Sequence, residues 1–152
     1  MKKIMLLCVI ISLSLFAEDT ANQRVLLAME ATPFKESLIG AMKTLLSSDG
    51  VSVTIIEDHA TELEAVSASD YDAIFITASG VNSQVRPWIV SWLETNSGES
   101  DKVIVHITQT REWNTGLTVE AVTSASTRGD VDSLSQSYVS LLEQKLSVST
   151  EE

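Results

Sequence analysis

Residues 69–96 read SDYDAIFITASGVNSQVRPWIVSWLETN, and this stretch decides the fold. Ala73–Thr77 is a short run rich in Ile that does not alternate apolar with polar. Such a run suits a buried strand with helices on both sides of its sheet. A polar loop follows at 78–84. Val85, Ile89, Trp92 and Leu93 then share one face of a helix over Val85–Leu93, with Pro87 near its start.

The same unit recurs outward from this segment. Arg24–Met29, Val51–Glu57 and Lys102–Thr108 read as further buried strands, and Thr118–Thr123 as a weaker fifth. Glu120 in that fifth run points to a sheet edge. Thr32 and Pro33 make a helix start, as N-cap and first helical residue. Phe34, Leu38, Met42 and Leu45 repeat at helical spacing until Gly50 ends the segment. Ala60–Val66 reads as a short helix. A last helix runs from about Asp132 to Leu146, capped by Asp130 or Asp132, with Leu134, Tyr138, Leu141, Leu142 and Leu146 inward. Alternating strands and helices imply an α/β fold with a doubly wound parallel sheet. Its ligand crevice lies at the carboxyl ends of the strands. The loops 30–34, 78–84, 109–115 and 124–129 meet there.

The chain begins MKKIMLLCVIISLSLFA: two lysines, an apolar run and a small residue. That layout predicts a secretory signal peptide over 1–17 and a single domain over 18–152 with loose polar ends. The alternative is an uncleaved N-terminal anchor. The only cysteine, Cys8, lies inside this segment, so the expected mature chain has neither thiol nor disulfide. Localisation is expected to be periplasmic or secreted, without stable membrane insertion after cleavage. The net charge is −11, and loss of Lys2 and Lys3 makes it more negative. An acidic surface repels nucleic acid and anionic membranes and favours a basic protein partner.

The 69–96 segment resembles the third-strand region of flavodoxins. There too a Tyr-Asp pair leads into an apolar strand, and a loop and a helix ending in an apolar-Leu-acidic run follow. The resemblance covers Arg24 to Leu146. It implies a five-stranded parallel sheet in the order 2-1-3-4-5, flanked by helices, and FMN-dependent electron transfer. In that family the loop after the first strand wraps the FMN phosphate with unpaired N–H groups at a helix start. Here the loop belongs to residues 25–37, VLLAMEATPFKES. Pro33 removes one donor. Glu30 places a charge where the phosphate would lie, and two charges about 5 Å apart at an effective dielectric near 20 repel by roughly 3 kcal/mol. Lys35 is expected on the solvated surface. The turn is therefore expected to suit a neutral or cationic guest. Of the two aromatic plates a flavin ring needs, the loops after strands three and four offer one, Trp113.

Other chemistry is sparse. His106 lies mid-strand and reads as a hydrogen-bonded core histidine, with Thr108 and Gln109 as its nearest polar neighbours. His59, among Glu57, Asp58, Glu62 and Glu64, has no second histidine to complete a metal site. The Gly-x-Ser-x-Gly elbow of hydrolases is absent, and Thr77 and Ser79 stand where a phosphorelay receiver needs an aspartate. Thr123, Ser124, Ser126 and Thr127 form a row of hydroxyls suited to loop backbone groups or to a polar ligand.

The candidate ligand-binding set is Glu30, Thr32, Ser79, Asn82, Thr108, Thr110, Trp113, Ser124 and Ser126, with no catalytic or metal set. The expected function is a non-enzymatic module that binds a small polar ligand or a basic protein. The alternative is an FMN electron carrier with an atypical phosphate loop; a hydrolase comes third.

Overall fold

The computed structural model describes residues 22–57, 59–110 and 113–149. The expected signal segment, Asp58 and the ends of the chain lie outside them. Five strands form one parallel sheet in the order β2-β1-β3-β4-β5. They are β1 (Arg24–Met29), β2 (Ser52–Ile56), β3 (Ala73–Ser79), β4 (Val103–Thr108) and β5 (Glu120–Ser124). This is the expected fold class and strand order. The three inner strands are buried almost throughout, as continuous apolar runs require. In β2, Ser52 and Thr54 are exposed, because β2 is an edge strand with one face open to solvent.

Helices α1 (Pro33–Ser48) and α4 (Val131–Ser149) pack side by side on one face of the sheet. Leu38, Met42, Tyr138 and Leu142 join Val25, Leu27 and Phe75 in the core there. On the opposite face, α2 (His59–Glu64) and α3 (Pro87–Thr95) cover Leu26, Ile74, Ile76 and Val105. Ile89 and Trp92 are the buried residues of α3, and Val85 and Leu93 pack partly buried beside them. A short 3₁₀ turn, Arg128–Asp130, leads straight into α4.

Two departures from expectation matter for the site. β3 runs two residues further than expected, so Ser79 ends a strand instead of opening a loop. The fifth strand also starts later, at Glu120, and among the described residues no helix joins it to β4. Parallel neighbours need a crossover, and the usual crossover is a helix. Here the described residues between Thr108 and Glu120 form no helix, and Trp113, Leu117 and Val119 pack on the face of α3.

Candidate functional site at the carboxyl ends of the strands

The turn between β1 and α1 forms as expected. Thr32 is extended, its hydroxyl accepts from the Lys35 amide at 3.3 Å, and Pro33 fills the first helical position. Thr32 is thus committed to capping. Glu30 just before it is held by the sheet, its amide donating to the Thr77 carbonyl at 2.9 Å.

The Glu30 carboxylate turns back over the end of β3. One oxygen accepts from the Ser79 amide at 2.7 Å and lies 3.4 Å from Lys35 Nζ. The other accepts from Arg86 Nη2. Lys35 Nζ also donates to Ser79 Oγ at 2.8 Å. Burial alone would raise the Glu30 carboxyl. Hydrogen bonds from Ser79 and the charges of Lys35 and Arg86 outweigh it and hold the group at about 2.

Lys35 corrects a sequence expectation. Its side chain is 1% exposed and bonded at both ends of the turn, so it is not a solvated surface lysine. Helical spacing explains the error: Lys35 follows Phe34 at the start of α1, which points it along the sheet end instead of outward. The turn is therefore not net negative. Lys35 and Arg86 together outnumber Glu30 by one charge.

The donors near the end of β3 already have an anion, supplied by the chain itself. The residues present do not fit an FMN phosphate as the resemblance implied. The reason has changed, however, from bare repulsion to occupancy.

Asn82 sits in the tight turn after β3 with φ 51°, in the left-handed region that asparagine tolerates. It is exposed, as are Thr110 and Ser126. Thr108 is buried at 5%, its hydroxyl facing the Ala78 carbonyl at 3.4 Å. Ser124 is tied to His106, whose two ring nitrogens lie 2.8 Å from Thr77 Oγ1 and 2.8 Å from Ser124 Oγ. His106 is a fully buried histidine, as expected, but its partners are these hydroxyls on β3 and β5, not Thr108 and Gln109. Parallel register sets Thr77 directly beside His106, while Ser124 lies two residues beyond Val122, the register partner of His106 on β5. Burial, with a smaller effect from Lys35, lowers its pKa to about 3 and keeps the ring neutral.

Trp113 is half-buried and packs beside the end of β3. A Cβ on Gly80 would stand 3.0 Å from Gln109 Oε1 and 3.7 Å from Trp113 Cζ2, so both side chains close on the Gly80 backbone. Where the crossover helix is missing, an open groove of about 580 Å3 remains. Trp113, Asn114, Thr115 and Leu117 border it, with Ala121 and Thr123 of β5. None of these residues carries a charge.

The structure thus brings Glu30 and Ser79 together, sets Thr32 beside them as the helix cap, and leaves Thr108 and Ser124 engaged within the sheet. Sequence reasoning missed Arg86. Its signal was a cation in the 80s loop, directly before the Pro87 helix start, in an acidic chain. Among the described residues, no group of three acids, histidines or cysteines could hold a metal ion. No helix there is long and apolar enough to cross a membrane.

No protein-family model and no curated protein matches the chain. Solved structures do. A flavodoxin from the domain Archaea matches with a TM-score of 0.58 at 12% identity, over 81% of this chain and 99% of that one. The Flv1 flavodiiron core from Synechocystis sp. PCC6803 matches with a TM-score of 0.57 at 12% identity, over 85% of this chain, which spans 37% of that protein. A diflavin flavoprotein A3 from Nostoc sp. gives a TM-score of 0.51 at 15% identity, over 82% of this chain and 94% of that one. At these identities the likeness concerns architecture, and the five-stranded parallel sheet in the order 2-1-3-4-5 with flanking helices gives the chain the flavodoxin-like fold.

Proposed function

We propose that this protein is an exported, non-enzymatic module that binds a small polar ligand or a basic protein partner at the carboxyl ends of its strands. The observation that carries this reading is the Glu30 carboxylate, held by Ser79, Lys35 and Arg86 where the resemblance would put a phosphate. A phosphate would have to displace a salt-bridged carboxylate that stays ionised down to about pH 2. The groove beside Trp113, whose lining carries no charge among the described residues, supports a polar guest, and the net charge of −11 supports a basic partner.

The second reading is an FMN electron carrier. It is favoured by the match to an archaeal flavodoxin along 99% of that chain. One preparation separates the two. The purified protein is expected to be colourless and to leave flavin fluorescence unchanged on titration with FMN. A yellow protein, or FMN binding at sub-micromolar concentration, sinks the first reading. Export is tested by N-terminal sequencing of protein recovered outside the cytoplasm, where the chain is expected to begin near Glu18.

A further inference from the structure

Trp113 has two different sides. Its Nε1 is buried, and its Cζ2, on the same edge of the ring, is the atom that approaches Gly80. That edge is turned inward. The residue is nonetheless only half-buried and borders the groove of about 580 Å3, so the groove is offered ring surface and not the indole N–H.

The polar groups that border the groove with Trp113 are neutral and of both kinds. Asn114 Oδ1 accepts from the Gly116 amide at 2.9 Å, which leaves the Asn114 amide N–H groups as donors. Thr115 Oγ1 accepts from the Leu117 amide at 3.4 Å and keeps its O–H to donate. The Thr123 hydroxyl can do both. The backbone of β5 adds further groups. The Gln109 amide donates to the Ser124 carbonyl at 2.9 Å, so Ser124 and every second residue before it face β4. Ala121 and Thr123 therefore turn their N–H and C=O groups the other way, and no described strand lies beyond β5. The same two residues line the groove.

This inventory selects a class of guest. No described lining residue carries a charge, so an ion would shed its hydration without gaining a partner. The net charge of −11 stands further against an anion. A wholly apolar guest would leave the donors and acceptors unmet. A sugar ring meets both demands. Its hydroxyls donate and accept, and its C–H face suits the electron-rich face of an indole. The groove volume also falls within the roughly 300–1,000 Å3 usual for small-molecule sites.

We propose that the groove beside Trp113 binds a neutral sugar, stacked on the indole and hydrogen-bonded by Asn114, Thr115 and the outer edge of β5 at Ala121 and Thr123. This names the guest for the ligand-binding reading given above and rests on that reading.

The test uses the full folded protein labelled with nitrogen-15. The Trp113 indole, the Asn114 side-chain amide and the Ala121 and Thr123 backbone amides are followed while glucose, N-acetylglucosamine and cellobiose are added in turn. Glucuronate, glucosamine and cyclohexanol serve as anionic, cationic and largely apolar comparisons. Saturable shifts of the Trp113 and Thr123 signals are expected with at least one neutral sugar. Each comparison compound is expected to bind about tenfold or more weakly. Trp113→Ala is expected to abolish the response at Thr123, and Thr123→Val to weaken the response at Trp113. Unchanged spectral dispersion reports that a variant is folded, and Thr123→Val decides alone if Trp113→Ala is not. No saturable shift with any of the three sugars overturns the proposal, as does a comparison compound that binds equally well. Unweakened binding in either folded variant overturns it too. Visible absorbance of the same sample keeps the two questions apart. A yellow protein counts against the function proposed above, whereas a colourless protein that ignores all three sugars defeats this proposal alone.

Discussion

Lys35 Nζ donates to Ser79 Oγ at 2.8 Å, tying the first turn of α1 to the last residue of β3. The lysine is 1% exposed, and burial lowers its pKa against the opposing pull of Glu30. Lys35 is therefore expected to resist acetylation in the native protein while exposed Lys43 reacts readily. Mass spectrometry of native and urea-unfolded samples after brief treatment checks this. Equal labelling of the two lysines in the native state would show that the turn opens freely.

Glu30 adds a pH-dependent term to stability. Its folded pKa of about 2 lies below the ordinary 4.5, so its contribution is full above 4.5 and is lost as pH falls through about 2. Glu30→Gln leaves Lys35 and Arg86 facing each other without an anion. It is expected to cost about 3 kcal/mol at neutral pH. Urea unfolding should show the gap between variant and native protein closing as pH approaches 2.

His106 acts over a higher pH range. Its folded pKa of about 3 lies below the ordinary 6.5, so the unfolded chain binds the extra proton first. Its contribution is full above 6.5 and declines as pH falls towards and through 3. Its ring lies 5.9 Å from that of Phe75 and 4.9 Å from that of Tyr138, so Phe is the substitution that keeps the packing. His106→Phe is expected to lose about 1–2 kcal/mol at neutral pH, for the hydrogen bonds to Thr77 and Ser124. It should also lose less stability than the native protein between neutral pH and pH 5, a range in which Glu30 stays ionised. An unchanged acid slope would place the sensitivity elsewhere.

Gly80 tests the closeness of the two loops. A methyl there meets Gln109 Oε1 at 3.0 Å and Ile107 Cγ2 at 3.1 Å. The Gln109 side chain can swing away, but Ile107 belongs to β4 and is fully buried. Gly80→Ala is expected to cost about 1 kcal/mol and to shift the emission of Trp113. Thermal melting and fluorescence, with Trp113→Phe as the spectral reference, check both parts.

The sheet was legible because a parallel, helix-covered strand is buried on both faces, and Val25–Met29, Ala73–Ala78 and Val103–Ile107 are apolar apart from Thr77 and His106. The helix start at Thr32-Pro33 was legible because capping is local. The ion cluster was not, because Glu30, Lys35, Ser79 and Arg86 meet only once β1 and β3 are in register. The same holds for His106, whose partners lie 29 and 18 residues away in sequence. The absence of a crossover helix among the described residues was hidden differently: Trp113, Leu117 and Val119 cover part of the face without a helix.

That irregular crossover has a consequence in time. β5 is an edge strand, half-buried at every residue, joined to β4 along one side and to α4 through Lys145 and Glu120 at 3.0 Å. With no helix among the described residues clamped over its other face, its opening should need little more than the parting of one ladder. Backbone amides of Ala121 to Thr123 are therefore expected to exchange with deuterium before those of β1 and β3, as hydrogen-exchange mass spectrometry would read. Any molecule seated in the neighbouring groove would slow them, which makes the proton clock of this one strand a gauge of occupancy.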